Sequence, residues 1–321
     1  MQHGASVAVQ DKPRYFSFPN TGDFVGFVFV AKQIGPSLDG TMITFRLLQS
    51  ESTTMVQDHE DTANTFLELA GEQRLAILLK LQEGPVKIAT IAKELGATVP
   101  EVYRNFERLV KADFIEKNPD GSYGITTTGK ILASQVSLIG FLSANKKYFK
   151  GHDLDTLPQK FIQRMGSLEQ CETVKGFVKV QEKWKELYGD AEKYIYNILF
   201  EVSYTPDLME LLARKVSSGV KVQSIFSESA VIPKERKLAF EKLGFKEFIA
   251  QGKIERRMQP DTRVIVILNE KEAGVMFPSG GEVDMSHALF SKDAAFHEWC
   301  LDYFVSSWDA AGPFRESKLK E

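Results

Sequence analysis

The 321-residue chain carries 40 Lys and Arg against 43 Asp and Glu, a formal net charge of −3, with 43% hydrophobic and 26% charged residues. This is ordinary composition for globular folding in two or three domains, and it excludes a polycationic nucleic-acid binder, so any such site has to be local. Two distant cysteines, Cys171 and Cys300, exclude a disulfide framework. No Cys or His pair has metal-ligand spacing, so neither a metal nor a cofactor is expected.

Residues 1–54 mix Phe16, Phe18, Phe24, Phe27 and Phe29 with Gly, Pro and Ser, and hold neither a helical nor a strand period. They are expected to be a poorly ordered extension, or to lie upstream of a natural start at Met55. Their longest apolar run, residues 25–31, is far short of the roughly 20 residues that span a bilayer. With no secretory signal in view, a cytoplasmic protein without membrane contact is expected.

Residues 55–130 are regular. In EQRLAILLKLQEG, Leu75, Leu78, Leu79 and Leu81 form one stripe, and Gly84-Pro85 stops the helix. In VKIATIAKELG, Ile88, Ile91, Ala92 and Leu95 recur at helical spacing, and Gly96 suits a left-handed C-terminal position. ATVPEVYRNFERLVK opens another helix at once, with Thr98 and Glu101 spaced as a capping box and Pro100 allowed in the first turn. Two helices joined by a tight Gly turn form a helix-turn-helix. Residues 114–118 and 122–126 then read as short strands around Pro119-Asp120-Gly121, a hairpin that would serve as a wing.

On the last of these helices Val102, Phe106, Leu109 and Val110 are expected to face the core. Thr98, Pro100, Glu101, Tyr103, Arg104, Glu107, Arg108 and Lys111 then point outward. In winged helices this outward face enters the major groove of double-stranded DNA. Arg104 and Arg108 suit guanine edges, the hydroxyls of Thr98 and Tyr103 suit phosphate or base, and Lys111 adds charge. Lys117, Ser122 and Tyr123 would contact DNA from the wing. The alternative is an ordinary amphipathic helix with a solvated charged face. Glu94, Glu101, Glu107, Asp113 and Glu116 nearly cancel the local positive charge, so tight binding is expected to need two half-sites and a homodimer.

Residues 131–172 read as a long helix to about residue 150, with Leu132, Val136, Ile139 and Leu142 at helical spacing, and then a polar connector. The long helix either pairs with its copy in a second subunit or packs on the C-terminal domain. From 173 to 312 strand and helix patterns alternate, an α/β domain in which the first two strands are expected to pair in parallel. Residues 313–321 are a tail. The whole is thus α+β: a winged helix-turn-helix followed by an α/β effector domain. Ligands of open α/β sheets sit beyond the carboxyl ends of strands. That points to Glu201 and Ser203 after the first strand, Ser227, Glu228 and Ser229 after the second, and the cations Arg256, Arg257 and Arg263. Glu201, Ser203, Ser227, Glu228 and Arg257 are the effector-site candidates, each with the alternative of a surface or salt-bridged residue. Glu282, Asp284 and His287 share a loop, where acid–base work and simple solvation are both open. Trp299 and Trp308 are expected to pack the last helix.

LAGEQRLAILLKLQEGPVKIATIAKELG, with the helix and hairpin behind it, resembles archaeal winged-helix (ArsR-like) transcription regulators. LPQKFIQRMGSLEQCE and AGVMFPSGGEVDMSHALFSKDAAFHEWCLDYFVSSWDAA resemble the effector domain of the methanogenesis-regulating members of that group. The resemblance covers residues 62–312, and Phe277-Pro278, Asp284 and Trp299 are its more specific part. It implies a transcription regulator with an N-terminal DNA reader and a C-terminal sensor for an unidentified small molecule. It also implies a sheet like that of phospholipase D, as in the distantly similar sugar-sensing archaeal regulators. Hydrolysis in the phospholipase family needs a His-x-Lys pair, and the chain has none. No catalytic residue is therefore expected. A degenerate phosphodiesterase and a winged-helix protein-interaction module remain as alternatives.

Overall fold

The computed structural model describes residues 51–201 and 205–319; nearly all of the 1–54 extension lies outside them. The chain divides into two compact units, Met1–Thr126 and Thr127–Glu321.

The first unit runs α1 (Glu51–Leu69), α2 (Glu72–Lys80), α3 (Ile88–Leu95), α4 (Val99–Lys111), β1 (Ile115–Lys117) and β2 (Tyr123–Ile125). Its core is Ile77 and Leu78 of α2, Ile91 and Ala92 of α3, Val102, Phe106 and Leu109 of α4, and Tyr123 of the hairpin. Gly96 ends α3 in the left-handed conformation, φ +60°, and Ala97 N then reaches Ala92 O at 3.0 Å. The same closure ends α4 without a glycine. Asp113 takes φ +60° and Phe114 N reaches Leu109 O at 3.0 Å. Leu79 and Val110, both expected on core faces, are exposed. Leu78 and Leu109 fill the inward positions beside them, and one residue further turns each by about 100° out of the stripe.

The second unit opens with α5 (Thr127–Ala144), α6 (Lys146–Phe149) and α7 (Gln159–Ile162). It continues β3 (Glu172–Lys175), α8 (Phe177–Asp190), β4 (Tyr194–Glu201), α9 (Pro206–Ser217), β5 (Lys221–Val231), α10 (Lys234–Lys242) and α11 (Phe245–Ala250). It closes β6 (Ile254–Gln259), β7 (Ile265–Asn269), β8 (Ala273–Met276), β9 (His287–Ser291), α12 (Ala294–Ala310) and β10 (Gly312–Pro313). The eight strands lie in the order β10-β6-β5-β4-β7-β8-β9-β3. β4, β5 and β6 are parallel, the pairing that strands joined through helices allow, and the remaining neighbours are antiparallel. β3 and β9 pair at the edge; no strand was expected at residues 172–175, and His287 of β9 was read in a loop.

Both faces of the sheet are covered, and β7 shows it. Ile265 and Ile267 join a core with Trp184, Leu187 and Val216, whereas Val264, Val266 and Leu268 join one with Phe141, Phe161, Trp299 and Phe304. The alternation has the strand period of two with apolar residues on both phases, so the segment reads as a continuous apolar run. The long helix expected over residues 131–150 is α5 and α6, with a break at Asn145. α5 buries Gly129, Ala133 and Phe141 and leaves Ile131, Ile139 and Leu142 exposed.

Gly274 of β8 sits across from Phe290 of β9. A Cβ there would lie 2.4 Å from a Phe290 ring carbon that is itself fully enclosed. Gly274→Ala is therefore expected to cost about 1–3 kcal/mol, read from the urea midpoint, and Gly274→Ala with Phe290→Leu is expected to recover part of the loss.

Candidate nucleic-acid interface

α4 is held by polar bonds as well as by its apolar stripe. Glu101 does not close a capping box with Thr98, which is exposed at the N-cap and makes no side-chain capping bond. Glu101 instead accepts from Gln73 Nε2 at 2.6 Å, and Gln73 Oε1 accepts from Asn105 Nδ2 at 2.7 Å, which ties α4 to α2. Arg74 caps the end of α1 by donating to Glu68 O at 2.6 Å and Leu67 O at 2.9 Å.

The outward face of α4 is not uniform. Arg108 grips Glu68 through both arms of its fork, at 2.9 and 2.6 Å. That hydrogen bond raises the Arg108 pKa, and against the opposing effect of burial it holds the Glu68 carboxyl below its ordinary range. Tyr103 is exposed, and a hydrogen bond to the Glu107 carboxylate raises its hydroxyl pKa. Arg104, Lys111 and Lys117 are exposed and, among the described residues, have no ion-pair partner. Ser122 and Tyr123, expected to reach DNA from the wing, turn inward instead. Ser122 Oγ donates to Asp120 Oδ1 at 2.7 Å and accepts from Asn118 Nδ2 at 2.9 Å, closing the turn. Tyr123 packs edge-on against Phe106 with ring centroids 4.7 Å apart, and its backbone pairs with Val86. A short wing over a small core needs its inward side chains for packing, and Lys117 is the expected wing contact that remains in solvent.

The effector candidates of the second unit are not gathered into one site. Ser203 lies outside the described residues, and of Glu201 the backbone alone is described, at the end of β4. Ser227 is buried. Glu228 pairs with Lys318 at 2.5 Å. Arg257 donates to Trp308 O at 2.6 Å and lies over the Trp308 ring at 4.5 Å. Arg263 pairs with Asp261. These cations are occupied by the chain's own groups, while Arg256, next in sequence to Arg257, stacks on Phe314 on the opposite face of β6.

One constellation was invisible to sequence spacing. His152 Nε2 meets Asp284 Oδ2 at 3.0 Å across 132 residues, and its Nδ1 is 2.8 Å from Tyr148 O. Tyr148 stacks on the His152 ring at 3.8 Å, and His287 stands edge-on to both. The donor atoms of His152, Asp284 and His287 lie within 4.8 Å of one another, so this trio has the ligand types to hold a metal ion. Among the described residues His287 Nε2 has no hydrogen-bond partner, and burial lowers the His287 pKa. Asp284 was placed in a loop with His287, but its partner His152 was read as connector.

Residues 71–117 match the family model described as bacterial regulatory protein, arsR family. That segment is an arsR-type helix-turn-helix domain. No curated protein matches the chain. Among solved structures, the chain is similar to TrmBL2, an archaeal chromatin protein, at 16% identity over 83% of this chain and 100% of that one, TM-score 0.37. It is similar to Nuc from Salmonella typhimurium, a phospholipase D family member, at 15% identity over 46% and 99%, TM-score 0.34. It is also similar to the transcriptional repressor BigR from Xylella fastidiosa, at 18% identity over 28% and 92%, TM-score 0.25. At these scores the likenesses do not bear on function. The arsR-type segment holds α2 to β1 and the Gln73–Glu101–Asn105 ladder, whereas Glu68, which occupies Arg108, precedes it.

The His152–Asp284 pair sets an acid response. Burial pushes the Asp284 pKa up, but hydrogen bonds from Ser286 Oγ, Ser286 N and His152 outweigh it and hold the carboxyl below its ordinary value. A depressed carboxyl contributes stability above its unfolded pKa, about 4, and loses it as pH falls through the folded value. Asp284→Asn is therefore expected to lower the urea midpoint at pH 7, by a difference that shrinks as the pH is taken below about 4.

Proposed function

We propose that the chain is a sequence-specific, homodimeric transcription regulator that reads duplex DNA through the outward face of α4 and answers to a small-molecule effector held by its second unit. The observation that carries the reading is Arg104. It is an exposed guanidinium on the second helix of an arsR-type helix-turn-helix, without an ion-pair partner among the described residues, and the same unit also exposes the ammonium groups of Lys111 and Lys117. An arginine so placed is suited to a bidentate contact with a guanine edge, and lysines to phosphates. Arg108 is a second reader once Glu68 releases it. An exposed pair of this kind is worth only about 0–1 kcal/mol, well within what a DNA contact replaces. Thr98 and Tyr103 complete the face.

The dimer reading is supported by α5, where Ile131, Ile139 and Leu142 recur at 8 and 3 residues on one exposed side. A role without catalysis is supported by the absence of any His-x-Lys in the sequence. Among the described residues no helix is long and apolar enough to cross a membrane.

Arg104→Ala is expected to weaken specific binding by about 1–3 kcal/mol, and Lys111→Ala or Lys117→Ala to weaken binding to all sequences and lower the salt slope by about 1. Glu68→Gln, which frees Arg108, is expected to tighten binding by up to about 1 kcal/mol. Fluorescence anisotropy on an operator recovered by chromatin immunoprecipitation reads all four. Unchanged affinity in Arg104→Ala would remove α4 as the reader.

A further inference from the structure

The face of the sheet covered by α9, α10 and α11 holds a partly open cavity of about 100 Å³. Ser224 and Phe226 of β5 form its floor, Phe240 of α10 and Phe245 of α11 one wall, and Phe314 and Leu319 of the C-terminal segment another. A smaller recess of about 40 Å³ adjoins it, shares Leu212, Ser224 and Arg236 with it, and reaches Trp184 and Asn197.

Arg236 stands where the two spaces meet. Its Nε is sealed from solvent and has no hydrogen-bond partner, and among the described residues its guanidinium is paired with no carboxylate. Burial pushes its pKa down to about 10, with Arg256 adding a like charge and the Tyr188 hydroxyl acting the other way. Arg236 therefore remains a cation at neutral pH. Arg256 faces the same cavity, sandwiched between Phe314 at 4.0 Å and Phe240 at 5.5 Å. The carboxylates that line the cavity are engaged with other groups. Glu241 pairs with Lys246 at 2.8 Å, and Glu316 acts on Arg256 and Lys246. In the recess, Asn197 donates through Nδ2 to the Tyr188 hydroxyl at 3.2 Å, while its buried Oδ1 has no partner among the described residues.

A largely apolar chamber that holds Arg236 with, among the described residues, no acid on it is a poor way to stabilise a fold. A buried charge without a partner is costly, and an anion beside it removes that cost. Ligand sites are built in this way, from apolar walls and a few convergent polar groups that fix orientation. We propose that this cavity binds a small organic carboxylate, its anionic head against Arg236 and Arg256 and its apolar body between the rings of Phe226, Phe240 and Phe314. Asn197 Oδ1 offers an acceptor to a hydroxyl or amine carried by the same ligand. Of the effector candidates whose side chains are described, Ser227, Glu228 and Arg257, none lines this cavity. On the regulator reading, and resting on it, the carboxylate is the effector; the site itself does not depend on that reading.

The test titrates the full chain with hexanoate and with phenylacetate by calorimetry, following Trp184 in the recess by intrinsic fluorescence. Hexan-1-ol and inorganic phosphate are the matched probes lacking the charge and the apolar body. Saturable binding of at least one carboxylate is expected, at least tenfold tighter than either matched probe and at least tenfold weaker in Arg236→Met. Unliganded Arg236→Met is expected to melt no lower than the parent, because the substitution removes an uncompensated charge. Arg256→Gln, at the same cavity, is expected to weaken the same carboxylate and serves if Arg236→Met fails to fold. The proposal is overturned if no probe saturates, if hexan-1-ol or phosphate binds as tightly as the carboxylates, or if folded variants at both arginines keep the parent affinity. Carboxylate binding that leaves operator affinity unchanged upholds the site and overturns its role as the effector site.

Discussion

The edge-on contact of Phe106 with Tyr123 sets the rotation of α4, and with it everything the first unit presents to solvent. Val102, Phe106 and Leu109 lie on one side of a helix with 3.6 residues per turn, so anchoring them leaves no freedom about the axis. Arg104, two positions before Phe106, is then about 200° from the core. The same contact consumes Tyr123, and the turn consumes Ser122. Packing therefore decides that the outward chemistry of this unit comes from the helix and from Lys117 rather than from the hydroxyls of the wing.

The second unit meets the opposite problem. Its sheet is covered on both faces, so a charged side chain on an inner strand has little access to water. Arg256 and Arg257 are neighbours on β6 and fall on opposite faces, and each lays its guanidinium on an aromatic ring, Phe314 for one and Trp308 for the other. Both rings come from the last stretch of chain, which β10 brings alongside β6. The C-terminal segment is thus the lid under which the strand cations are held. Arg236, arriving from α10 rather than from the sheet, has among the described residues neither a ring stacked on its guanidinium nor an acid paired with it.

Local patterns were readable in the sequence, and distant partners were not. Gly96, the Pro119-Asp120-Gly121 turn and the repeats in α2, α3 and α4 each follow from chemistry within a few residues, and the elements they announce stand in the structure, with Leu79, Leu95 and Val110 left outside the core. The capping box failed because Glu101 had a better partner in Gln73, 28 residues away. Arg108 looked free because Glu68 is 40 residues before it. Asp113 ends α4 in a conformation that a glycine would have announced. His152, Asp284 and His287 converge only because residues 152 and 279 pair as an isolated bridge that no periodicity signals. The cavity is the extreme case. Its cations come from α10, α11 and β6 and its walls from α10, α11 and the tail, segments that no local pattern brings together.

The charge balance on α4 looks unfavourable for DNA by counting, and geometry changes its meaning. Glu101 is turned toward α2, where its Oε1 accepts from Gln73 Nε2. Glu68 belongs to α1 and holds the Arg108 fork through two hydrogen bonds. On the regulator reading such a carboxylate has two effects of opposite sign. It repels phosphates, which lowers affinity for any duplex alike, and it pre-orders an arginine whose rotamer entropy would otherwise be lost on binding. The repulsion applies to every sequence, whereas the pre-ordering repays only where a guanine edge stands in for the carboxylate. A face of this kind lowers non-specific binding more than specific binding, and the near-neutral balance of the chain then favours discrimination rather than opposing nucleic-acid recognition.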